Sequence, residues 1–112
     1  MNPKKETDVS IAVLQVIYVT VDSIAPRLDS LVKDYYYDNL NLSDSEYALL
    51  MELRTSCATL SCLLEEYISQ GSEYNVDKIT LPMAEFRLLI ELSKTVELST
   101  SCLLYTSPSP RD

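Results

Sequence analysis

Seven apolar positions, Leu14, Ile17, Val21, Ile24, Leu28, Leu31 and Tyr35, follow one another at alternating spacings of three and four. That period is the signature of an α-helix with one buried face, so it predicts a long amphipathic helix over 9–38. Tyr18, Ala25 and Val32 widen the apolar stripe. The opening of the segment is rich in β-branched residues, and propensity alone allows a strand there. The sustained helical period decides for helix, because no second strand candidate exists to pair with it. Pro26 lies inside the pattern, removes one backbone donor and crowds the preceding turn, which predicts a kink near 22–26. The apolar run over 9–21 is about 13 residues, too short to span a bilayer. Glu6 and Asp8 precede it, and Gln15, Tyr18 and Thr20 dilute it, so a core helix is expected rather than a secretion signal or a membrane segment. The polar residues 1–8 are expected to be a frayed arm.

Two further helices follow. Ser43-Asp44-Ser45-Glu46 has the pattern of a capping box, in which the Ser hydroxyl accepts from an orphan amide and the Glu reaches back. Leu42 and Tyr47 occupy the positions of a hydrophobic staple. Leu50, Leu53, Cys57, Leu60, Leu64 and Tyr67 carry the stripe of a helix over 44–69. Gly71, the one glycine of the chain, lies just past its end, where a left-handed cap is favoured. Residues 70–78 are expected to be a loop. A third helix over 82–101 opens with Pro82 in its first turn. Phe86, Leu89, Ile90, Leu92 and Val96 form its stripe, with Ser93 on the same face. Leu88 and Leu98 fall off that stripe. They face a fourth helix or a partner chain, or they are scattered surface leucines.

Composition removes most chemistries. The chain has no His and no Trp, and its formal charge is −8 over 112 residues. A His-based triad, a His-bearing zinc site and a glycine-rich phosphate loop all lack their residues. The acidic balance disfavours binding nucleic acid through its phosphates. Glu65 and Glu66, the Asp34/Asp38 pair and the Asp22/Asp29 pair fall on or beside predicted solvent faces, where Asp29 and Lys33 form an ordinary i,i+4 pair. Cys57 sits on the core stripe and Cys62 off it, with nothing to activate either thiol. About 140° separates them on a helix, so they cannot bridge each other. Two unpaired cysteines suit a reducing, cytoplasmic setting. No catalytic, cofactor-binding or metal-binding residue is expected, and no cofactor is implied. Tyr36 and Tyr37, beside Tyr35 and between Asp34 and Asp38, either close the end of the bundle or offer contact area to a partner.

Three resemblances complete the reading. Residues Cys102-Leu103-Leu104-Tyr105-Thr106-Ser107-Pro108-Ser109-Pro110-Arg111-Asp112 resemble, in order and without a gap, the translation of a sequencing-library adapter. That implies a native chain of 1–101 whose gene ran on beyond Ser101, a truncated metagenomic fragment. The tail holds one Arg and one Asp, so the charge of −8 stands without it. The segment beginning at Leu42-Ser43 echoes the one beginning at Leu81-Pro82 at an offset of 39 residues, with six of twelve positions identical. The echo reads either as a repeat or as two solutions to starting a helix and burying a leucine stripe. Finally, Glu85-Phe86-Arg87-Leu88-Leu89 resembles the first helix of the winged-helix domains of bacterial response regulators. That resemblance covers about a dozen residues. It implies a basic recognition helix and a hairpin wing, neither of which is visible in this sequence, and no functional residue is carried over from it.

The fold expected is all-α, a three-helix up-down-up bundle kinked near Pro26, with a C-terminal helix missing if Leu88 and Leu98 face one. The expected role is a small acidic interaction or accessory module with a protein partner or a second copy of itself, not an enzyme. Its possible interface residues are Tyr36, Tyr37, Leu88 and Leu98. An acidic inhibitor or nucleic-acid mimic is the alternative, and a truncated winged-helix-like DNA-binding fragment the third.

Overall fold

The computed structural model describes residues 5–106, with side chains to residue 103. Most of this span is helical. Three helices are present, α1 (Ile11–Tyr36), α2 (Asp44–Tyr74) and α3 (Met83–Thr106), together with two short strands, β1 (Glu6–Ser10) and β2 (Lys78–Pro82). The strands pair antiparallel as a two-stranded ribbon.

The ribbon corrects the expectation of a frayed arm over 1–8 and a loop over 70–78. Residues 6–10 are strand, so α1 starts at Ile11 and not at 9; α2 runs on to Tyr74; and Pro82 ends the second strand, the partner the sequence did not reveal, instead of opening α3. Residues 1–4 of the arm lie outside the described residues. Thr7 faces Leu81 and Val9 faces Ile79 across the ladder. These four are buried or half-buried, while the alternate residues Glu6, Asp8, Lys78 and Thr80 are exposed. One face of the ribbon thus closes the core and the other meets solvent. On the solvent face the Thr80 hydroxyl donates to the Asp8 carboxylate at 2.8 Å.

Side-chain caps mark the starts of α1 and α2. The Ser10 hydroxyl accepts from the Ala12 amide at the start of α1. At α2 the capping box forms in full. The Ser43 hydroxyl accepts from the Glu46 amide at 3.1 Å, and the Glu46 carboxylate accepts from the Ser43 amide at 2.8 Å. Two orphan donors are satisfied reciprocally. Pro26 lies inside α1, which continues as helix on both sides of it.

Gly71 does not terminate α2. It is buried inside the helix, and Asn75 takes the left-handed cap at φ 53° and ψ 49°. The reason is packing. A Cβ at Gly71 would overlap Ile11 Cδ1 and stand 2.7 Å from Ile11 Cγ1. Glycine here admits the first side chain of α1 against the last turns of α2. Asn is among the few other residues that adopt the left-handed cap readily.

The helices α1 and α2 form an antiparallel pair. Climbing α1 from Ile11 through Tyr18 and Asp29 to Tyr35, the partners on α2 descend from Gly71 through Glu65 and Arg54 to Tyr47. Leu14, Val21, Ile24, Leu28, Leu31 and Val32 fill the seam from α1, and Leu50, Leu53, Cys57, Leu60 and Leu64 from α2. Leu89, Ser93 and Val96 of α3 join the core. So does Thr100, and so does Leu103, because α3 extends past the expected end at 101. Residues 102–106 of the adapter-like tail are therefore helical, and 107–112 lie outside the described residues.

Candidate functional site

The polar side chains on the α1–α2 seam align the two helices. The Tyr18 hydroxyl donates to Glu65 at 2.6 Å. The Glu65 hydrogen bond, then burial, then the Glu65 and Asp22 carboxylates raise the Tyr18 phenol above its ordinary range. Each favours the neutral phenol, which alone can donate to a carboxylate. Asp29 pairs with Arg54 across the seam at 3.1 Å, not with Lys33 along its own helix as expected. Tyr35 stacks on Tyr47 with ring centroids 4.7 Å apart. Tyr47 thereby serves the seam as well as the staple.

One groove along that seam, of about 430 Å³, is bounded by Ala25, Leu28, Asp29, Arg54, Cys57 and Ala58 among others. Its one thiol is Cys57, which is buried. Burial, and secondarily the Asp29 carboxylate, push that thiol up and away from the thiolate form. A thiol held neutral is a packing group, because the thiolate is the reactive species. Cys62 is exposed on α2, at the edge of a shallow depression shared with Glu65, Glu66 and Glu73. Among the described residues no group of three His, Cys, Asp or Glu is placed to hold a metal ion.

The surface is more distinctive than the grooves. The expected interface residues are all exposed: Tyr36 and Tyr37 at 76 %, Leu88 at 52 % and Leu98 at 67 %. The structure does not gather them. The tyrosines stand at the far end of α1, and the leucines lie on one side of α3, ten residues apart. A further apolar strip was not singled out from the sequence. Val13, Val16 and Val19 are exposed along the first half of α1. Their signal was the β-branched density of 9–21, which exceeds what one buried face needs. Indeed α1 as a whole is long and apolar enough, by length and composition, to cross a membrane, with a window of mean hydropathy 1.4. The 13-residue apolar run had placed it below that length, because the run stops where the helix does not.

No family model matches the chain, and neither a curated protein nor a solved structure shows significant similarity to it.

Proposed function

We propose that this chain is a small cytoplasmic interaction module that docks a protein partner, or a second copy of itself, through its exposed apolar helix faces. One observation carries the reading. Nine large apolar side chains of the described residues, Val13, Val16, Val19, Tyr36, Tyr37, Tyr74, Val76, Leu88 and Leu98, stand between 43 % and 76 % exposed in a chain this short. Scattered single residues of this kind are normal, but a row at helical spacing marks a contact surface. Val16 and Val19 form such a row on α1, and Tyr36 and Tyr37 add aromatic area of the type enriched at interfaces. The buried, neutral Cys57 thiol and the exposed Cys62 fit a reducing compartment. In this reading α3 completes an up-down-up bundle and Pro26 bends α1. The antiparallel α1–α2 pair and the missing amide at Pro26 support that arrangement.

The test replaces Tyr36 and Tyr37 together by Ser, Leu88 and Leu98 together by Ser, and Val16 and Val19 together by Ser. Sedimentation velocity reads self-association, and photo-crosslinking from positions 16, 36 and 98 in the expressing cell reads other partners. The expected result is unchanged helicity and melting with association lost in at least one variant. A wild-type chain that stays monomeric at millimolar concentration and yields no crosslinked protein overturns the reading. So does loss of folding in all three variants, which would assign these side chains to packing.

A further inference from the structure

The two-stranded ribbon leaves an unpaired strand edge beside an apolar groove. The ladder bonds Ile11 N–H to Asp77 C=O and Met83 N–H to Lys5 C=O, both 2.8 Å, fix which residues are hydrogen-bonded partners. In an antiparallel ladder such pairs alternate with non-bonded ones. Counting inward from both ends, Thr7–Leu81 and Val9–Ile79 are the bonded pairs. Glu6 and Asp8 therefore direct their N–H and C=O groups away from β2. Among the described residues these groups meet no backbone partner.

The two edges of the ribbon are not equivalent. On β2 the outward positions are Lys78, Thr80 and Pro82. Proline has no N–H to offer and is a common means of blunting an edge. On β1 the outward residues Glu6, Asp8 and Ser10 all keep their amides. A free edge with its amides intact is the geometry by which an extended segment adds to a sheet.

What lies beneath that edge is an apolar strip flanked by charged side chains. Thr7 turns its side chain to the inner face, where it borders a groove of about 440 Å³ along α3. Met83, Phe86 and Ile90 line the groove and are only half-buried, with Arg87, Glu91 and Lys94 along its solvent side. Their spacing of three and four puts them on one helix face. A five-residue strand runs about 17 Å. The helix from Met83 to Lys94, the far end of the groove, rises about 16 Å. The two lengths are similar, and Thr7 is the β1 residue on the groove's border.

We infer that β1 is a strand-addition site for an extended, basic, alternately apolar segment of a partner protein. Its backbone pairs with Glu6 and Asp8. Its apolar side chains drop toward Met83, Phe86 and Ile90. Its alternate residues lie on the solvent face beside the Glu6 and Asp8 side chains, both exposed carboxylates. Opposite charges at neighbouring cross-strand positions are favourable and like charges unfavourable. That selects Lys or Arg at those positions. It also selects against a second copy of the chain, because β1 against β1 would set four carboxylates on one small face. This edge is distinct from the exposed helix faces, so its failure would leave the proposal on those faces standing.

The experiment uses the full chain and a synthetic hexapeptide, acetyl-Lys-Ile-Lys-Val-Lys-Ile-amide, followed by amide NMR titration. Shifts are expected at residues 5–10 and 83–94. A peptide N-methylated at its two central residues, and one with Glu in place of Lys, should each bind about tenfold more weakly or worse. Asp8→Pro removes one outward amide together with the carboxylate that accepts from Thr80, and leaves the backbone ladder to β2 intact, and Ile90→Glu charges the groove. Each should weaken the peptide about tenfold with melting unchanged. If one variant unfolds, the modified peptides still decide. Shifts confined to α1 or to the far face of α3 overturn the site. Binding indifferent to N-methylation overturns strand addition, and equal binding of the Glu peptide overturns the basic partner. Concentration-dependent protection of the Glu6 and Asp8 amides in the free chain would assign the edge to a second copy and overturn the proposal.

Discussion

At Gly71 one hydrogen atom decides how α1 meets α2. Glycine inside a helix costs about 1 kcal/mol relative to alanine. It is retained where Ile11 leaves no room for a methyl group. Gly71→Ala should therefore lower stability by about 1 kcal/mol in urea unfolding, since overpacking outweighs the helix-propensity gain. In an Ile11→Ala background the same change should raise stability by up to about 1 kcal/mol, because only the propensity gain remains. Equal effects in both backgrounds would remove Ile11 as the cause. Tyr18 makes a second residue-level test. Its phenol is raised above its unfolded value of 10.0 by the bond to Glu65 and then by burial. A folded-state pKa above the unfolded one contributes stability that is complete below the unfolded value and is lost as pH rises through the folded one. The melting advantage of the wild type over Tyr18→Phe should hold near neutrality and shrink progressively above pH 10. A gap constant to the alkaline limit of folding would show that the phenol proton is not what Glu65 recognises.

The helices are legible in the sequence because their information is local, and the strands are not because theirs is not. The stripes on α1 and α2 recur at three and four over many turns, and the capping box at Ser43 states where α2 begins. The ribbon rests on two five-residue segments. The alternation of Thr7 with Val9, and of Ile79 with Leu81, spans too few residues to outweigh a polar neighbourhood. Their pairing joins positions as many as 76 residues apart, and no local pattern announces it. Gly71 was misread for the same reason: its constraint comes from Ile11, sixty residues earlier in the chain. The exposed faces were half legible. Leu88 and Leu98 fall off the α3 stripe by spacing alone. Val16 and Val19 were hidden among the other β-branched residues of α1. At its other end α3 keeps to its own period beyond residue 101. Leu89, Val96 and Leu103 are seven apart, and all three are buried. A side chain 2 % exposed is part of the core, whatever the origin of the codon behind it. Leu103→Ala should cost about 2 kcal/mol, the low end for a buried leucine, because the last turns of a helix relax more easily than its middle. Thermal melting of the variant, and of a chain stopped after Ser101, reads this directly. Unchanged melting in both would place 102–106 outside the cooperative unit.

The whole molecule is a flat slab, 57 × 32 × 17 Å. Its radius of gyration of 16.9 Å exceeds the roughly 13 Å expected of a compact chain of this length. A slab two layers thick cannot cover both sides of its helices, which is why apolar side chains remain outside even though the seam is filled. The same body carries a charge of −8, and that charge separates its two proposed contacts. Docking through the valine and leucine faces removes apolar surface from water, and between two copies of the chain it also brings like charges together. Salt shortens the screening distance from about 10 Å at 0.1 M to about 3 Å at 1 M. Self-association through the helix faces should therefore tighten as salt rises. Strand addition at β1 has the opposite sign, because the Lys side chains of the hexapeptide meet Glu6 and Asp8. Two exposed pairs, each contributing a few tenths to about 1 kcal/mol, should lose most of that between the two salt concentrations. The peptide's affinity should fall about threefold to tenfold, while its backbone and groove contacts hold the remainder. Sedimentation equilibrium of the chain alone and the peptide titration, both repeated across that range, give the two slopes. Slopes of equal sign would mean that one of the two surfaces has been assigned the wrong chemistry. A peptide affinity that rises with salt would strip the charge argument from β1 and leave only its free amides and the groove beneath them.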